Sequence, residues 1–329
     1  MKLKRQQNFK KKGLISYMTK EKNQIENVQV YPLIENRVSL NDKATKILFN
    51  LTEDIFNEVM QGQTNIGIVE KKKHKKHGKV KSSFSLHNIN GGYSHFAPLE
   101  EGDRAVFDAI ISAFVAGNKI ITLAMIQRIL NGYVGEHRGH DNGIINKNQF
   151  AQIKTSVDRL MFTAFDPDFL KALKALDYDG AEEISKAPIL PCKRVKLSIN
   201  GQISKEDCIS ILDESPLLKL AKLKKQIITY KNSLAYIPNL NNTPLVQKLK
   251  SYTFRRVFEI KKHRRNMSHI LTLDDIFTKC RIKDASNKVK FDARATLEKI
   301  FAHLQSKGEI KSYEWTKKGN TFYSVKITF

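Results

Sequence analysis

Several features that define whole classes of protein are missing or scarce in this sequence. Its three cysteines, Cys192, Cys208 and Cys280, are odd in number and widely spaced, which argues against a disulfide framework and against the paired thiolates of a structural zinc site. Reduced, partly buried thiols are expected instead. No apolar run approaches the roughly 20 residues that cross a bilayer. The longest, around Ala105 to Val115, is interrupted by Asp108. The basic N-terminus, Met1 to Lys12, is followed only by the short Gly13 to Tyr17 stretch, too little for a secretory signal, so a cytoplasmic protein is expected. No glycine-rich loop leads into Lys-Ser or Lys-Thr, which leaves an ATP-driven protein without support. Acidic residues are outnumbered 33 to 57 by Lys and Arg, and the resulting net charge of +24 points to a polyanionic partner.

What is present is enough apolar material, 41% of 329 residues, for two cores of ordinary size. Residues 1–95 read as a basic N-terminal extension with a helical stretch near Asp42 to Met60 and one hairpin. The hairpin's strands, Asn65 to Val69 and Lys79 to Leu86, flank the lysine-rich turn Lys71 to Gly78. From Gly102 the spacing of Phe107, Ile110, Ile111 and Phe114 predicts a helix closed by Gly117-Asn118. Thr122 caps a short second helix with Leu123, Ile126, Ile129 and Leu130 on its buried face and Asn131-Gly132 at its end. After the loop Gly135 to Gly143, a third helix from about Asn148 carries Phe150, Ile153, Val157, Leu160 and Met161 on one face. Cys192 to Ile199 then alternates as a strand entering an Asn200-Gly201 turn.

The same order returns after a basic linking region, residues 216–243. Leu245, Leu249, Tyr252, Val257 and Phe258 mark a long helix that ends in the cluster Lys261 to Arg265. Thr272-Leu-Asp-Asp275 reads as a capping box opening a short helix of Leu273, Ile276, Phe277 and Cys280. A third helix over Lys290 to Ser306 buries Leu297, Ile300, Phe301 and Leu304, with Gly308 as its left-handed cap. Two strands, Ile310 to Thr316 and Thr321 to Phe329, close the chain across Lys317 to Asn320. Helix, helix, helix, hairpin is the order of a winged helix, and it occurs twice. The expected fold is therefore mainly helical α+β with small β-hairpins: two tandem winged-helix domains, residues 96–215 and 244–329, plus the basic N-terminal extension.

In a helix-turn-helix arrangement the later helix enters the major groove while neighbouring groups clamp phosphates. Lys290, Arg294 and Glu298 fall four residues apart and are read as facing away from the Leu297, Ile300, Phe301, Leu304 stripe, with Lys288 at the helix entry. Lys317, Lys318 and Asn320 mark the wing tip, and Lys261, Lys262, Arg264 and Arg265 a phosphate clamp. The first unit offers Lys147, Lys154 and Arg159 on its third helix and Lys193, Arg194 and Lys196 in its hairpin. For each of these a solvated helix or strand face is the plain alternative.

Enzymatic readings find less support. His74 with His77, and His137 with His140, lack the two histidines flanking a hydrophobic residue that a strand-cutting metal site needs. Asp166 with Asp168, and Asp177 with Asp179, fit turns better than two-metal chemistry. No catalytic residue, metal or cofactor is expected. An RNA-binding role lacks an aromatic sheet motif for stacking bases.

Gly102 to Asn118, Ile121 to Met125 and Ser156 to Met161, together with Leu249 to Val257, Ile300 to Ile310 and the Tyr323 to Phe329 strand, resemble the replication initiators of plasmids, phages and other mobile elements of low-GC bacteria. The resemblance covers roughly residues 98 to 329; the first 95 match no pattern of that family. It implies binding to repeated double-stranded sites at an origin, opening of an adjacent AT-rich region, recruitment of host replication proteins such as a helicase or host initiator, and a homodimer in balance with monomer. A transcriptional repressor or partition-type protein would use the same surfaces without starting replication.

Overall fold

A computed structural model of the chain describes residues 17–18, 27–28, 34–49, 66–69, 81–84, 86–88, 99–133, 147–165, 188–199, 202–319 and 321–329. It is a mixed α+β structure with small antiparallel sheets. The first unit runs α2 (Glu101–Val115), β5 (Ile120–Thr122), α3 (Leu123–Asn131), α4 (Lys147–Phe162), β7 (Cys192–Ile199) and β8 (Gln202–Ile211). The second runs α6 (Pro244–Lys262), β10 (Ile270–Thr272), α7 (Leu273–Lys279), α8 (Asn287–Ser306), β11 (Ser312–Lys318) and β12 (Thr321–Thr328). In both, the last strand lies between the other two: β8 between β5 and β7, β12 between β10 and β11. The registers correspond as well. Ile209 faces Ile121 and Arg194 across its two ladders, as Val325 faces Leu271 and Trp315. The short strands β5 and β10 complete a three-stranded antiparallel sheet in each unit.

The local chemistry that starts and stops these helices is visible in both copies. Thr122 and Thr272 accept the backbone N–H three residues on, from Met125 at 3.0 Å and Asp275 at 3.2 Å. Asp103 returns a bond from Glu100 N–H at the start of α2, a capping box that places two carboxylates over the first turn. Each unit also has a glycine-ended helix: Gly132 after α3 and Gly308 after α8, at φ 80° and 70°. The following amides, Tyr133 and Glu309, bond back to Arg128 and Leu304 carbonyls, at 2.9 Å in each case.

The outer segments do more than extend or link. β1 (Asn36–Leu40) pairs antiparallel with β9 (Ile227–Lys231), from Leu40 opposite Ile227 to Asn36 opposite Lys231. β1 packs into the first core, with Ile34, Val38, Leu40, Leu48 and Phe49 buried among α2 and α3 residues. Ile228, Tyr230, Leu234 and Ala235 pack into the second, where Tyr230 stacks on Phe258 at 5.0 Å. α5 (Pro216–Leu223) buries Leu217, Leu218 and Ala221 in the first core. The segment between the units is thus folded into both. α1 (Lys43–Leu48) starts on Asp42, which accepts from Thr45 N–H at 2.8 Å; of the helix expected to Met60, residues 50–60 lie outside the described ones.

The expected hairpin is seen as β2 (Ile66–Val69) paired with β3 (Lys81–Phe84), Ile66 opposite Phe84. Beyond it β4 (Leu86–Asn88) pairs with β6 (Thr163–Phe165) at the end of α4. Its lysine-rich tip, and the Asn200-Gly201 turn, lie outside the described residues.

Candidate nucleic-acid interface

The two units meet along α2 and α6, and the seam is ionic. Glu101, at 1% exposure, accepts from Arg255 at 2.7 Å and from Ser251 at 2.7 Å. Lys248 reaches Glu100 at 2.5 Å, and Gly102 lets its stem approach closely. The N-terminal segment adds a second set of contacts. Asn41 and Lys46 both donate to Glu259 of α6, at 2.9 and 2.7 Å, while Arg104 donates to Leu40 O and Ser39 to Asp108. Burial lowers Arg104 to about 10, helped by the like charge of Arg255, and burial raises Asp108. Burial also works to raise Glu259, yet its hydrogen bonds to Lys46 and Asn41 outweigh it and bring the carboxyl to about 2. These contacts hold the two units and the N-terminal segment together; Glu101, Arg104, Asp108, Arg255 and Glu259 are buried in them, while the Lys46 side chain keeps 41% of its surface exposed.

The outward surface of the second unit carries a different set. α8 packs Ala293, Leu297, Ile300, Phe301 and Leu304 inward. At 3.6 residues per turn, positions four apart advance about 40° around a helix. The Lys290, Arg294, Glu298 row therefore starts beside the core stripe and moves toward the wing, instead of lying opposite the core. Lys290 is half-buried. Arg294 sits 4.2 Å from the Phe322 ring centroid on β12 and 5.4 Å from that of Phe291. Glu298 accepts from Tyr313 at 2.7 Å and from the Trp315 indole, both on β11. Arg294 and Glu298 thus tie the wing to the helix. The outermost row of α8 is Lys288, Phe291, Asp292, Ala295, Lys299 and Ala302, and the sequence spacing alone missed Lys299 and Phe291.

The same division appears in the first unit. Core residues Ile153, Val157 and Leu160 of α4 each lie 140 positions before Ala293, Leu297 and Ile300, so Lys154 corresponds to Arg294 and Asp158 to Glu298. Both again serve the wing: Lys154 pairs with Asp207 at 3.1 Å, and Asp158 with Arg194 at 2.6 Å. Arg159 turns inward onto Asp103 at 2.9 Å, where Ser156 also donates. The outer row of α4 is then Asn148, Ala151 and Thr155, without charge. Lys193 and Lys196 remain exposed on β7; the Lys147 side chain lies outside the described residues.

The cluster after α6 is divided too. Lys261 pairs with Glu309 at 2.7 Å, and Lys262 donates to the carbonyls of Lys225 and Ile227 at 3.2 and 2.9 Å. Arg264 lies over the Phe329 ring at 5.0 Å, and Arg265 is exposed. On the wing, Lys317 lies 4.8 Å from the Phe322 ring and Lys318 is exposed, while Asn320 lies outside the described residues. Lys288 and Lys299 on α8, Lys318 on the wing, Arg265 after α6 and Lys193 and Lys196 on β7 are exposed cations outside these contacts.

Cys192, Cys208 and Cys280 form no disulfide, and burial pushes the Cys192 thiol up to about 12. Among the described residues no cluster of His, Cys, Asp and Glu could hold a metal ion, and no helix is long and apolar enough to cross a membrane. His74, His77, His137, His140, Asp166, Asp168, Asp177 and Asp179 lie outside the described residues. Comparison of the chain with protein families, with curated proteins and with solved structures finds no match.

Proposed function

We propose that the protein is a sequence-specific double-stranded DNA-binding replication initiator that acts in the cytoplasm and has no catalytic centre of its own. The observation that carries this is the outer row of α8, with Lys288 and Lys299 on a helix of major-groove width beside a wing bearing Lys317 and Lys318. The two units present different outer rows, cationic on α8 and uncharged on α4, and the α2–α6 seam joins them in one chain. A single chain with two unlike recognition helices reads an asymmetric site, so several copies fit direct repeats. A repressor acting as a symmetric dimer reads an inverted repeat. The initiator reading also follows the family resemblance of residues 98 to 329. It carries with it the recruitment of a host helicase or initiator and a monomer-dimer balance.

A footprint of the purified protein on the DNA flanking its own gene, at two salt concentrations, tests this. Protected direct repeats beside an AT-rich tract are expected. A single inverted repeat over the promoter would make the protein a repressor, and salt-sensitive coating without a preferred site would remove the sequence-specific reading altogether.

A further inference from the structure

Phe291 is the large apolar side chain on the outer row of α8, and it is 61% exposed. It contributes little to the fold. The corresponding position of the first unit, 140 residues earlier, is Ala151, which is exposed too, so the winged helix packs without an aromatic there. Its neighbours on the row, Lys288 three residues before and Ala295 four after, leave it standing above a small side chain. Ala302 repeats the small side chain two turns further on, so the helix axis can come close to a groove floor. On its inner side Phe291 is flanked by the Arg294 guanidinium, itself seated on Phe322. That contact backs the ring on one side.

A ring in that position has one apolar partner in the major groove, the C5-methyl group of thymine; the other base edges there are hydrogen-bonding groups. Resting on the DNA-binding function proposed above, we infer that Phe291 is a specificity-determining residue that reads thymine through its methyl group. Lys288 and Lys299 hold the flanking phosphates, and Asp292 on the same row accepts from an adjacent cytosine or adenine amino group.

The experiment uses the full chain. Bound duplexes are selected from a random-sequence pool to obtain a site, and each thymine of that site is then replaced singly by deoxyuridine, which removes only the methyl. At one or two positions the wild-type protein is expected to bind deoxyuridine about four-fold more weakly, the equivalent of ~0.8 kcal/mol for one buried methyl-sized group. Phe291→Ala should bind the two duplexes alike at those positions, and Phe291→Leu should retain part of the difference. Equal binding of thymine and deoxyuridine at every position by the wild type, with the selected site otherwise intact, would overturn the inference and leave the DNA-binding function standing. Failure to select any site would overturn both.

Discussion

Gly132 ends the short second helix of the first unit and Gly308 the long third helix of the second, and replacing each by alanine separates backbone strain from packing. Both have positive φ, which costs a residue with a Cβ roughly 1 to 2 kcal/mol. Alanine's reduced freedom in the unfolded chain returns part of that, about 0.4 to 1 kcal/mol. Around Gly308 nothing lies within 4 Å of where the Cβ would be, so Gly308→Ala should cost only about 1 kcal/mol. At Gly132 the Cβ would stand 2.1 Å from the amide nitrogen of Tyr236 and 2.6 Å from the carbonyl carbon of Ala235. Backbone cannot rotate aside as a side chain can. The end of α3 must part from the segment carrying the buried Leu234 and Ala235, an overpacking cost of about 1 to 3 kcal/mol on top of the strain. Gly132→Ala should therefore lose about 3 kcal/mol in urea unfolding followed by far-UV circular dichroism. If the two substitutions cost the same, the close approach of α3 to the residues 234–236 backbone is not a constraint on stability.

Three further outcomes follow from the seam and the outer row. Glu101→Gln or Arg255→Met alone should destabilise by about 3 kcal/mol, because each strands a buried charge, while the double variant should cost clearly less than the sum; additive losses in a double-mutant cycle would contradict the pairing. Burial, with the charge of Arg37 nearby, brings Lys250 from its ordinary 10.5 down to about 7. The unfolded chain then holds a proton that the folded chain gives up between those values, so this group's contribution to stability rises as pH climbs from about 7 to 10.5. Lys250→Met should raise the melting temperature most at pH 6 and progressively less toward pH 10; a gain that does not vary with pH would reject this origin. Lys288→Ala with Lys299→Ala should reduce the slope of log affinity against log salt by about 2, at ~0.9 per phosphate contact, and an unchanged slope would remove α8 from the interface.

Much of the fold could be read in the chain because helix chemistry is local. Thr122, Thr272, Gly132 and Gly308 mark helix ends within a few residues, and the apolar spacing of α2, α4 and α8 needs no distant partner. The three-residue strands β5 and β10 are too short to show a period of two. The pairing of β1 with β9 leaves no local trace, since Ile228 and Tyr230 alternate inside a stretch whose lysines suggest a solvated linker. The site was less legible for a geometric reason. Spacing by four drifts around the helix, so the row chosen for its charges ends on the wing, and the outward row contains Phe291 and two alanines that no charge count would select. Charge also hides its partner: Arg159, Arg194 and Lys154 look alike in sequence, and only the fold brings Asp103, Asp158 and Asp207 to them.

The pairing of β1 with β9 also orders events in time as the chain is made. Residues 36–40 leave the ribosome first, and their partners at 227–231 follow about 190 residues later. At roughly 5 to 20 residues per second that is a wait of about 10 to 40 s. Throughout it the buried face of β1, with Val38 and Leu40, has only the growing first unit to shelter it, and its edge has no strand to join. Pairing of the β1 edge therefore waits for sequence that lies beyond the first core in the chain, and nascent chains stopped before residue 231 should be the form that chaperones hold longest.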